Sequence, residues 1–169
     1  VIREGVTVRG DWTPPTTGVK GTILAVYDRP GTMEGPPTLT LQRGSACREL
    51  SLWYPEQVVD EIVPYPWAIG TTDAVGGDNV TVMNVTLVNP FRGVRIGPEW
   101  NELHTLRNVF MTPLETGFTT DTTTDIGRLR RLVMSPSVWE DSTLPGAPVE
   151  AGSRAALRRH LAANVVGLD

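Results

Sequence analysis

Between residues 79 and 139 a short apolar or β-branched run ends three times in a small polar residue and a proline: V-T-L-V-N-P, N-V-F-M-T-P and L-V-M-S-P. The prolines are Pro90, Pro113 and Pro136, each 23 residues from the next. A fixed period between about 20 and 50 residues marks stacked repeats, because one repeat cannot bury its own apolar face. The residues between the prolines are Val, Thr and Ile rather than helix formers, so the repeating unit reads as strand. E-L-S-L-W-Y-P at residues 49–55 matches N-V-T-L-V-N-P at residues 84–90 and adds Pro55 as a fourth member. The extra length between Pro55 and Pro90 falls in residues 57–77, read as a long loop grown out of one repeat.

A repeat of this length made of short strands predicts an all-β fold: a right-handed parallel β-helix. Each strand would pair in parallel with its equivalent one coil later, about 4.8 Å away. A leucine-rich repeat lacks support, because the L-x-x-L-x-L-x-x-N frame is missing. A β-sandwich would show strands every 8–12 residues or so with tight hairpin signals, and those signals are missing too. The registers differ by one residue: six separate Asn84 from Pro90 and five separate Asn108 from Pro113. A bulge can absorb that slip.

Ahead of the repeats, residues 5–10 alternate as a half-buried strand should. Residues 22–27 are apolar in succession, which predicts burial on both sides, and residues 38–42 alternate again. Residues 140–152 shift to Pro, Gly and Ser and read as a linker. Ser153 is the expected N-cap of a helix with Leu157, Leu161 and Val165 on one face, Arg154, Arg158 and Arg159 on the other, and Gly167 at its stop. This helix, residues 153–168, is expected to cover a flank or an end of the 1–152 coils. The chain opens in mid-pattern at Val1, as a fragment of a longer protein would.

The net charge of −4 argues against nucleic acid as partner, since phosphate neutralisation needs a basic face. Cys47 is the lone cysteine, which excludes an intrachain disulfide and a cysteine metal cluster. No apolar run approaches the roughly 18 residues of a membrane span.

The G-V-T-V-R-G at residues 5–10 and K-G-T-I-L at residues 20–24 resemble the opening of the pectate lyase superfamily. The chain is most similar to its polygalacturonase-related, pectate-lyase-3-like branch. L-W-Y-P-E-Q at residues 52–57 and I-G-P-E-W-N-E-L-H at residues 96–104 look like bacterial members of that branch. The resemblance covers about residues 3 to 140 and implies a β-helix, a polysaccharide partner and a secreted or cell-surface location. The branch's D-D-T-x-A-I-Q helix and its N-T-D, D-D, G-H-G and R-I-K signatures are missing, so the polygalacturonase mechanism does not carry over. The superfold also hosts lyases and tailspikes.

Glycoside hydrolysis needs two carboxylates, about 5 Å apart for retention and further apart for inversion. In a β-helix, residues 23 apart would sit on neighbouring coils. Glu102 and Asp125 have that spacing, with Glu99 and Asp121 close by. The expected catalytic set is therefore Glu99, Glu102 and Asp125. Trp53, Tyr54, Glu56, Trp67, Trp100 and Asp121 form the expected substrate-binding set, aromatic faces for sugar rings and carboxylates for hydroxyls. The carboxylates also fit solvated turns, and the aromatics a loop packing its own side chains. Tyr65 belongs to the stiff P-Y-P-W run that would wall a groove. His104 reads as a structural histidine and His160 as solvated, and Arg92 and Arg95 share a strand face on which a lyase would hold a uronate. No cofactor is expected; Asp121 and Asp125 supply too few oxygens for calcium, which takes about six to eight. A non-catalytic, carbohydrate-binding or structural solenoid, oligomeric through its exposed ends, fits the same pattern.

Overall fold

The computed structural model describes residues 1–71 and 77–165. The described chain is mostly β, and its strands pair in parallel. Strands β1 (Thr7–Arg9), β2 (Ile23–Ala25), β4 (Ala46–Trp53), β6 (Thr81–Leu87), β8 (Thr105–Met111) and β10 (Arg128–Met134) form one sheet. Its order is β1-β4-β6-β8-β10, with β2 also on β4. Strands β3 (Leu39–Thr40), β5 (Trp67–Gly70), β7 (Arg92–Ile96) and β9 (Thr116–Thr120) form the second sheet in that order. From β3 to β10 the chain alternates strictly between the two sheets, so each circuit adds one strand to each.

The long strands carry a bend at their middle. Glu49, Asn84, Asn108 and Arg131 face one another in the register, and each has a left-handed backbone, with φ of 58°, 55°, 52° and 58°. A left-handed residue interrupts the pleat, so the inward side chains on either side of it stand three apart instead of two. The inward sets are Cys47, Leu50 and Leu52; Val82, Val85 and Leu87; Leu106, Val109 and Met111, all buried. Asn tolerates this conformation better than other side chains with a Cβ. Asn108 also donates from Nδ2 to Asn84 Oδ1 at 2.8 Å, which ties the two bends together.

The opposing sheet presents Leu39, Ile69, Val94 and Phe118 in register. These and the inward sets fill one core. The one-residue slip between repeats lies at Asn89. Leu87 still pairs with Met111, Thr112 N–H donates to Leu87 O, and Ser135 N–H donates to Met111 O. Asn89 is the extra residue, and its side chain repairs the pairing by bonding both N–H and C=O of Tyr54. The proline column therefore stacks through its preceding residues: Tyr54 with Asn89, and Thr112 Oγ1 with Ser135 O at 2.7 Å.

Four expectations need correction. Residues 57–77 are not only loop, because β5 lies among them with Ala68 and Ile69 buried. Pro64 and Pro66 hid that strand, since proline is confined to strand beginnings and edges. Residues 22–27 are not buried on both sides: Leu24 is 38% exposed and β2 pairs only with β4. β1 is likewise exposed throughout, because it ends its sheet and no strand lies beyond it. The helix starts before Ser153: α2 spans Ala151–Asn164, with Glu150 at its N-cap making no side-chain bond. The expected stop at Gly167 lies outside the described residues.

A short helix α1 (Ser137–Glu140) precedes α2. Leu157, Leu161 and Val165 pack with Trp139, Val19, Val88 and Leu114 into a second apolar cluster. Helix α2 thus covers a flank, where the chain leaves the long strands near Trp53, Val88 and Leu114. The buried Glu140 carboxylate accepts both Nε and the terminal nitrogen of Arg158, at 3.0 and 2.9 Å, which fixes α2 to α1.

Two substitutions test this framework. Asn108→Val places a β-branched residue at φ 52° and removes the inter-strand bond, and it should cost about 2–3 kcal/mol in urea unfolding. Asn108→Gly keeps the backbone conformation and should cost less. Leu157→Ala should cost about 2–5 kcal/mol through the cavity it leaves.

Candidate functional site

A repeated turn feeds the long strands. Gly5, Gly44, Asn79 and Leu103 are left-handed there, with φ of 68°, 63°, 59° and 55°. Each turn bonds to the next: Gly5 N–H to Arg43 O (3.1 Å), Gly44 N–H to Asp78 O (2.8 Å) and Asn79 N–H to Glu102 O (2.8 Å). The residue before each left-handed position is charged: Glu4, Arg43, Asp78 and Glu102. They form a column at one corner, each three residues ahead of a paired strand position. A hollow of about 350 Å³ lies along this corner and is lined by these four residues with Gly5, Gly44, Asn79 and Leu103.

Inside the hollow, Arg43 pairs with Asp78 at 3.3 Å. Glu102 Oε1 accepts the Thr124 hydroxyl at 2.8 Å. Three carboxylates face one guanidinium, so the corner is acidic. Charged oxygens one strand spacing apart can accept hydrogen bonds from vicinal hydroxyls, which is the chemistry of sugar recognition.

The expected site residues divide. Glu102 lines the hollow. Asp125 holds the equivalent position one strand along, three residues ahead of Arg128 as Glu102 is of its partner Thr105. Its Oδ1 is taken locally by Ile126 N–H at 2.7 Å, and the neighbour that meets Glu102 is Thr124. Asp121 likewise accepts Thr122 N–H at 2.8 Å. Glu99 and Asp121 are tied by backbone, since Asn101 Nδ2 donates to both carbonyls, at 3.1 and 2.7 Å. Neither lines the hollow. Trp100 is 62% exposed, two residues ahead of Glu102 in the chain.

The other aromatics are mostly structural. Tyr54 is fully buried and stands edge-on to the buried Tyr65 at 4.9 Å, so it has no face to offer a sugar. Tyr65 therefore does not wall a groove, and its hydroxyl donates to Glu56 at 2.6 Å. Burial and that carboxylate push the Tyr65 phenol up from its usual range. Trp53 packs on the second apolar cluster. Trp67 is half-buried, and the Arg92 guanidinium lies 5.6 Å from its ring centre while also pairing with Glu115. Among the described residues no group of three or more His, Cys, Asp and Glu is arranged to hold a metal.

His104 is buried, with Nδ1 3.1 Å from Asn101 Oδ1. Gly127 lies against the ring, where a side chain would collide with it. His160 is not simply solvated: its Nε2 donates to Leu114 O at 2.8 Å.

Sequence reasoning missed Glu4, Arg43 and Asp78. The signal was a charged residue followed by a left-handed former three residues ahead of a strand: E-G, R-G and D-N. The inserted segment between residues 43 and 78 hid it from a search at a spacing of 23. Comparisons with family models, with curated proteins and with solved structures each gave no match.

Burial lowers the His104 pKa from 6.5, so the folded state resists its protonation. The neutral ring's contribution is present above pH 6.5 and is lost as pH falls below 6.5 through the lowered folded value. His104→Gln should flatten that part of the pH dependence of stability, measured by urea unfolding between pH 7.5 and pH 4.5.

Proposed function

We propose that this chain is a stretch of right-handed parallel β-helix that binds polysaccharide along the Glu4–Arg43–Asp78–Glu102 corner. The observation that carries it is the hollow itself, where charged side chains from successive circuits stand side by side at one corner. A polymer laid along the stacking direction meets one such side chain per circuit. The carboxylates accept sugar hydroxyls, Arg43 donates to ring or hydroxyl oxygens, and the exposed Trp100 supplies an apolar face for a sugar ring. The resemblance to the polygalacturonase-related branch of the pectate lyase superfamily supports the same class of partner and a secreted or cell-surface location.

Hydrolysis is the second reading, favoured by the equivalent positions of Glu102 and Asp125 on neighbouring strands. One strand spacing, about 4.8 Å, is close to the separation of about 5–5.5 Å that a retaining pair needs. In that case one carboxylate would attack the anomeric carbon and the other would protonate the departing oxygen. The bonds from Thr124 and from Ile126 N–H engage one oxygen of each carboxylate.

Affinity electrophoresis through gels containing polysaccharides separates these readings from failure. The chain should be retarded by at least one polymer, with Trp100→Ala and Glu102→Gln each several-fold weaker. Retardation by none, or equal retardation of all three proteins, contradicts the corner as a binding site. Reducing-sugar release that Glu102→Gln and Asp125→Asn both abolish would establish hydrolysis.

A further inference from the structure

The long-strand sheet ends differently on its two sides. On one side β1 pairs with the first half of β4 and β2 with its second half, so both halves of that edge are covered. On the other side β10 is bare. Among the described residues no strand lies beyond it, and the chain turns away through α1 into α2, which packs on the flank. Arg128 N–H donates to His104 O and Ser135 N–H to Met111 O. Parallel strands bond their two neighbours through alternate residues, so Leu129, Leu132 and Met134 turn their amides and carbonyls away from β8. The side chains of these three continue the inward column of Leu106, Val109 and Met111. Leu129 is 50% exposed, and Leu132 and Met134 are half-buried, where their equivalents one strand back are buried. Arg128 and Arg130 are exposed on the same strand, with Arg131 at its bend. Among the described residues none of the three arginines has an acidic partner.

We propose that β10 takes up an extended acidic peptide of another protein as a further parallel strand. The row of amides and carbonyls decides the kind of partner, because only a peptide backbone offers matching groups at the same repeat. The inward column decides the partner's apolar positions, three apart and then two, like Leu129, Leu132 and Met134. Asn or Gly fits opposite Arg131, since that column is left-handed and holds Asn84 and Asn108. Acidic residues fit opposite Arg128 and Arg130, because opposite charges directly across a strand pair stabilise it and like charges destabilise it. The same rule disfavours a second copy. Head-to-tail stacking would continue each register column, setting Arg130 beside Arg9 and Asp125 beside Glu4 of the next copy. Pairing of two β10 edges would bring both sets of arginines together. Charge on an edge strand guards against self-association, and here it leaves the edge open to an acidic strand. The edge lies outside the hollow, so the polysaccharide reading neither requires nor excludes it.

The probe is a fluorescein-labelled peptide, E-V-E-N-V-T-L, blocked at both ends, whose residues fall in order opposite Arg128 to Met134. Fluorescence anisotropy should show saturable binding that weakens with salt and is at least about tenfold tighter than that of K-V-K-N-V-T-L. Methylating the backbone nitrogens of its second Glu and its Thr, which would donate to β10, should abolish binding without changing the charge. Arg128→Gln with Arg130→Gln should weaken binding about fivefold, from the loss of two cross-strand charge pairs. Lys20→Gln with Arg159→Gln removes the same charge elsewhere and should change little. Circular dichroism melts of both variants exclude misfolding as the cause. Bound peptide should slow amide exchange at Leu129, Leu132 and Met134. No saturable binding, equal binding of the acidic and the lysine peptide, indifference to methylation, or equal loss in the two variants overturns the proposal. Sedimentation that finds a dimer, with Leu129, Leu132 and Met134 protected in it, would place a second copy on the edge and overturn the proposal as well.

Discussion

The structure depends on in-register parallel pairing across the bend, where Asn108 bonds Asn84 through their side chains. Parallel pairs leave no freedom to slide when one face is buried, because a one-residue slip turns every inward side chain outward. The left-handed residues at Glu49, Asn84, Asn108 and Arg131 then fix where each long strand turns. Everything else is placed relative to that line. The inward sets Leu50, Val85 and Val109 stack on one side of it, and the charged corner stands a few residues upstream. A change at the bend would shift core and corner together.

Much of this was legible in the chain. The proline period located the stack, because each proline follows the end of a long strand. Asn84 and Asn108 were visible as repeat members, although their role as left-handed bends was not. β5 was invisible because Pro64 and Pro66 precede it and its partner β3 pairs through only two residues. The exposure of β1 and β2 escaped the pattern for a different reason. Their composition is that of covered strands, but they lie where the sheet ends.

A fixed spacing of 23 was an imperfect ruler for the site. It places Glu102 and Asp125 at equivalent positions, yet the loop before β10 turns so that Thr124, 22 residues on, meets the Glu102 carboxylate. The same ruler fails between Arg43 and Asp78, where one circuit is enlarged. Registers read strand by strand recover both and bring Glu4, Arg43 and Asp78 beside Glu102. Tyr54 and Trp53 illustrate the other limit. Aromatics near a turn look like sugar platforms in sequence, and only packing reveals that Tyr54 closes the core against Tyr65.

The surface thus has an acidic corner just ahead of the long strands. Amide hydrogen exchange with and without a saturating polysaccharide that the chain binds tests this arrangement most directly. The account predicts slowed exchange at Gly44 and Asn79, whose amides bond across the corner, with α2 unchanged. Protection confined to α2, or no protection anywhere in a protein that still binds the polymer, would contradict it.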